Sequence, residues 1–130
     1  MSSFEERVKG ARALLEEGKG EAARIALLEL LKVEPNNPTV LLMLGGAYFY
    51  EKKYAEAQMV YERLLQAEPG SGVVSIALFN TLWKQGRHAE AADEIRRFIS
   101  MADPVAERET LKQYAALSEA IAARTSELNS

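Results

Sequence analysis

The stretch Gly20-Glu21-Ala22-Ala23-Arg24-Ile25-Ala26-Leu27-Leu28-Glu29-Leu30-Leu31-Lys32-Val33-Glu34-Pro35 returns 34 residues later as Tyr54-Ala55-Glu56-Ala57-Gln58-Met59-Val60-Tyr61-Glu62-Arg63-Leu64-Leu65-Gln66-Ala67-Glu68-Pro69. Leu27, Leu30 and Leu31 recur at helical spacing, as do Tyr61, Leu64 and Leu65. Each copy closes on Glu-Pro, and proline does not continue a helix. A fixed period of this length is the mark of a helical solenoid. One such unit cannot bury its own apolar face, so its neighbours must supply the core. The expected fold class is therefore all-α.

Working outward, Gly18, the run Pro35-Asn36-Asn37-Pro38, the run Pro69-Gly70-Ser71-Gly72 and Gly86 fall where turns between helices belong. Ala11, Gly45, Ala23, Ala57 and Ala91 are small where two helices of a hairpin must come close. A helical glycine costs about 1 kcal/mol against alanine, so Gly45-Gly46 needs a reason. Gly45 is expected to admit the facing helix and Gly46 to face a groove, a merely tolerated glycine being the alternative at Gly46.

Composition bounds the function. The chain has 130 residues, a net charge of −3 and 48% apolar residues. That is one domain or one short array with ample material for a core. No basic cluster could track a phosphate backbone, so nucleic acid is not an expected partner. There is no cysteine, which removes disulfides and thiolate metal sites. No apolar run reaches the roughly 18–20 residues that span a bilayer. The polar start Met1-Ser2-Ser3-Phe4-Glu5-Glu6-Arg7 lacks a secretory core, and the expected location is cytoplasmic.

These residues resemble the tetratricopeptide repeat. The middle repeat, 38–71, carries Leu41, Leu44, Gly45 and Tyr48 on its first helix, then Ala57, Tyr61, Leu64 and Pro69. The first, about 4–37, departs at Arg7 and Gly10, keeps Ala11 and Leu14, and recovers with Ala23, Leu27, Leu30 and Pro35. The third, about 72–105, has Leu78, Leu82, Ala91, Ile95 and Phe98. It departs at Phe79, where a small residue is usual, so its two helices are expected to be wedged apart. Its proline comes one residue late, as Pro104. The resemblance implies a right-handed α-solenoid of three tetratricopeptide helix pairs with a seventh, capping helix, forming a single domain over 1–130. That final helix is expected over about 104–126, capped by Asp103 with Pro104 in its first turn. Its apolar stripe is Leu111, Tyr114, Leu117 and Ile121.

The resemblance also implies a concave groove lined by the first helix of each pair. Mapped here, the first repeat supplies Glu5, Val8, Lys9, Arg12, Leu15 and Glu16. The middle one supplies Thr39, Leu42, Met43, Gly46, Phe49 and Tyr50, and the third Val73, Ile76, Ala77, Asn80, Trp83 and Lys84. The partner-binding residues expected from this set are Val8, Arg12, Leu42, Met43, Gly46, Phe49, Tyr50, Val73, Ile76, Asn80, Trp83 and Lys84. Aromatic anchors with an adaptable methionine suit capture of an apolar segment of another protein or peptide. Members that bind the acidic C-terminal tails of heat-shock chaperones use polar clamps. The matching positions here are Val8, Arg12, Met43, Val73 and Ala77, so that ligand is not expected. Apolar periodicity also marks burial, and packing of Leu42, Phe49 and Trp83 on the inner wall is the competing reading.

Catalysis needs a nucleophile or base held by an orienting partner. The only histidine, His88, has the slot of Tyr54 in the preceding repeat, and a packing or surface role is expected of it. Asp93 and Arg97 have the spacing of a helix-surface ion pair. Gly70-Ser71-Gly72 lacks the lysine of a phosphate-binding loop. The expectation is no enzyme, no cofactor and no metal, but an adaptor or chaperone-like scaffold. A module that forms a homodimer through the groove or a solenoid end is the alternative.

Overall fold

The computed structural model describes residues 3–128. Seven helices run through them: α1 (Phe4–Glu16), α2 (Gly20–Val33), α3 (Pro38–Tyr50), α4 (Tyr54–Ala67), α5 (Gly72–Lys84), α6 (His88–Met101) and α7 (Arg108–Leu128). No strand occurs among the described residues. Each of α1 to α5 packs against its successor in the chain, and α7 packs on α5, as an all-α solenoid requires.

The period is written into the helix ends. Ser3, Asn37 and Ser71, each 34 residues apart, accept a backbone N–H from Glu6 (3.1 Å), Val40 (3.0 Å) and Val74 (3.4 Å). Each satisfies one of the donors that a helix start leaves unpaired. At the other end, Gly18, Lys52 and Gly86 sit at φ 75°, 61° and 75°. The next residue's N–H then reaches back to Leu14, Tyr48 and Leu82 at 2.9, 2.8 and 3.0 Å, a Schellman closure. The middle repeat makes that turn with a lysine.

Burial explains the departures of the first repeat. Leu44 is buried among Ala11, Ala23, Leu27 and Leu30 of the preceding pair, and Leu78 among Leu64 and Leu65. Gly10 stands one period before Leu44. No helix precedes α1 among the described residues, so nothing packs there, and a Cβ on Gly10 would meet no atom within 4 Å.

Three expectations are corrected. Phe79 does not wedge its pair open: α5 and α6 pack as closely as α1 and α2. Its buried ring stacks on Trp83 and presents an edge contact to Tyr114. Second, α7 begins at Arg108, after a link of six residues (102–107), where the earlier links have four (34–37 and 68–71). Asp103 does accept N–H groups, from Val105 and Ala106 at 2.9 Å each, but these belong to a turn ahead of the helix. Those donors hold its carboxyl below the usual value, Ala106 contributing most. Third, Asp93 pairs with Arg96, and Arg97 grips Glu94 with two bonds of 2.7 Å.

This last pair belongs to a buried network. Ser75 Oγ donates to Glu94 Oε2 at 2.6 Å and lies 2.7 Å from the Tyr114 hydroxyl. Arg97 also donates to the carbonyl of Pro69 at 2.7 Å. Tyr114 is fully buried, with the rings of Phe98 and Phe79 edge-on to it. Gly72 lets α7 approach, since a Cβ there would stand 2.9 Å from Cβ of Thr110. One tyrosine thus ties α7 to α5, α6 and the Pro69 turn. Leu111, Leu117 and Ile121 are half-buried on the same core.

Candidate functional site

Eight of the expected groove residues border three depressions. Val8 and Arg12, with Phe4, Glu5, Lys9 and Thr39, border one of about 640 Å³ between α1 and the start of α3. Leu42 and Val73 border another of about 400 Å³, beside Thr39 and Arg63. Phe49, Asn80, Trp83 and Lys84 meet in a third of about 1050 Å³. Met43, Gly46, Tyr50 and Ile76 line none of these three. Met43 and Ile76 are half-buried against the core, and Tyr50 is exposed. A Cβ on Gly46 would meet nothing within 4 Å, which agrees with its expected open side.

The third depression has a wall that the groove positions omit. Leu117, Ala120, Ile121, Arg124 and Thr125 of α7 face Phe49 and the α5 residues, with Phe79, His88 and Ala92 completing the lining. The stripe Leu117–Ile121 is legible in the sequence as an apolar face, and its expected role as a cap does not by itself place it beside Phe49 and Trp83.

The repeat register gives this junction different chemistry. Between the first two pairs, Arg24 Nε donates to Glu51 Oε2 at 2.9 Å. Between the second and third, one period on, Gln85 donates to Gln58 at 2.9 Å, and Arg87 reinforces that joint through Gln58. The next position in that series is Ala92, which has no polar group and lines the depression beside α7.

The aromatic groups are held in place. Trp83 stacks on Phe79 at 5.7 Å and on His88 at 4.0 Å, and is 39% exposed. Phe49 meets Tyr54 edge-on at 5.3 Å. Phe49–Tyr54 and Trp83–His88 are the same pair one period apart, so His88 has the packing role expected of it. A tryptophan fixed on two sides with its remaining surface in a cleft is a rigid apolar anchor, which loses little freedom on binding. Asn80, exposed at the rim, offers both a donor and an acceptor.

Among the described residues no three His, Asp or Glu side chains are grouped to hold a metal ion. No helix there is long and apolar enough to cross a membrane. Two tetratricopeptide repeat family models match the chain, one over residues 8–72 and the other over 48–121. No curated protein matches it as a relative.

Proposed function

The chain belongs to the tetratricopeptide repeat family, and from that premise we propose that it is an adaptor or chaperone-like scaffold that captures an apolar segment of another protein in its inner face. Repeats of this family are protein–protein interaction modules, typically non-catalytic. The observation that carries the finer reading is the meeting of Phe49, Trp83, Leu117 and Ile121 around one cleft. Apolar anchors beside a polar rim are the usual anatomy of a helix- or peptide-binding groove. Leu42, Val73, Val8 and Arg12 lie along the same inner surface and extend the contact, and Gly46 leaves room beside Phe49.

The test compares capture of client segments by the native chain and by a Phe49→Asp/Ile121→Asp variant with unchanged circular dichroism. Segments held by the native chain and released by the folded variant support the proposal. Equal retention by both would move binding to the outer face.

Self-association through a solenoid end is a second reading, and Ile99 favours it. Leu65, one period earlier, is 9% exposed, whereas Ile99 is 55% exposed because α7 does not cover it. Sedimentation of the native chain against Ile99→Glu decides the matter: a dimer lost in the variant supports this reading, and a monomer at high concentration ends it.

A further inference from the structure

The cleft at α7 has a charge bias that its apolar walls do not require. Its lining contains Lys84, Arg124 and His88, and no aspartate or glutamate. The depression between α1 and α3 mixes Lys9 and Arg12 with Glu5 and Glu34. The cleft between α4 and α6 sets Arg87 and Arg97 against Glu62, Glu90, Asp93 and Glu94. In a chain of net charge −3, a depression of this size free of carboxylates stands apart. Lys84 and Arg124 stand one on each wall of the cleft.

Resting on the groove reading above, we propose that the segment bound here is an acidic amphipathic helix. Its large apolar side chains enter between Trp83, Phe49 and Ile121, and its flanking carboxylates meet Lys84 and Arg124. This differs from capture of a terminal carboxylate: the charged groups sit at the α5–α7 rim, while Val8, Met43, Val73 and Ala77 present no polar group. Opposite charge at the rim speeds encounter and selects among apolar partners, and an exposed lysine and arginine lose little hydration while doing so.

Three synthetic helical peptides test the idea. They share one Leu/Phe face and carry Glu, Gln or Lys at the flanking positions. Binding is followed by the fluorescence of Trp83, the chain's single tryptophan. The Glu peptide is expected to bind about 10-fold tighter than the Lys peptide at low salt, with the gap closing as salt screens it. Lys84→Glu/Arg124→Glu should invert that order without altering helicity. Equal binding of all three peptides overturns the acidic preference and leaves the groove reading intact. Binding of none overturns both. Dodecanoate binding tightly where the Glu peptide does not would reassign the cleft to a small anionic amphiphile and also overturn the proposal.

Discussion

Gly45 lies directly against the ring of Tyr61: a Cβ on it would stand 3.0 Å from Cδ1 and nearer still to Cε1 and Cζ. One period earlier the same pair of positions holds Ala11 and Leu27, both buried. One period later it holds Phe79 and Ile95. Each hairpin therefore solves the same packing problem with a different division of volume between its two helices.

Gly45→Ala should destabilise the chain by about 2 kcal/mol, overpacking outweighing the gain in helix propensity. Adding Tyr61→Leu, which recreates the Ala11–Leu27 combination, should recover much of that loss. A double-mutant cycle by chemical denaturation measures the coupling. The neighbouring Gly46→Ala should instead stabilise by up to about 1 kcal/mol, since its Cβ meets nothing.

Lys52 holds φ 61° where the other two repeats use Gly18 and Gly86. A side chain in the left-handed region costs about 1–2 kcal/mol, partly offset by the greater freedom glycine has when unfolded. Lys52→Gly should raise stability by about 0.5–1 kcal/mol. An unchanged or lower denaturation midpoint would contradict this account of the turn.

The Tyr114–Ser75–Glu94–Arg97 network predicts unequal losses. Tyr114→Phe keeps the ring among Phe79 and Phe98 but removes one buried hydrogen bond, costing about 1–2 kcal/mol. Arg97→Met leaves the buried Glu94 carboxylate without its cation and should cost about 3 kcal/mol, at the low end for such pairs because the guanidinium is partly exposed. Hydrogen exchange should show α7 loosening first in both variants. Loosening confined to α1 and α2 would contradict the assignment.

High pH should unfold the chain through two tyrosines. Burial pushes the phenols of Tyr61 and Tyr114 up to about 12. In the unfolded chain both ionise near ~10. Between those values the unfolded state holds fewer protons, so stability falls as pH rises. It is fully present below about pH 10 and lost progressively toward pH 12. Denaturation midpoints across that window should drop, and Tyr114→Phe should flatten part of the slope. Phenolate absorbance of these two rings should appear together with loss of helicity.

Much of the fold was legible because its determinants are local. Gly18, the run at 35–38, the run at 69–72 and Gly86 fall at four of the five junctions between α1 and α6, while the α3–α4 turn is made with Lys52, which gives no glycine or proline signal. Phe49, Asn80, Trp83 and Lys84, expected along one set of period-locked helix positions, border one depression. Their division from Val8 and Arg12 into separate depressions was not legible, because it depends on how side chains from successive pairs fill the junctions. The pairing of Arg97 with Glu94 rather than Asp93 was likewise hidden, since Glu94 is held by Ser75, 19 residues earlier, which is itself bonded to Tyr114, 39 residues beyond it.

By itself the sequence determined the 34-residue period, the all-α class, the family and the faces of the helices, since spacing, capping and turn conformation act over a few residues. Only the tertiary structure decided that α7 starts late at Arg108, is held by Tyr114, and forms a wall of an open cleft with Phe49 and Trp83. Those outcomes depend on contacts across the chain: Gly72 admitting Thr110, Tyr114 set between Phe79 and Phe98, and a buried network with partners on three helices.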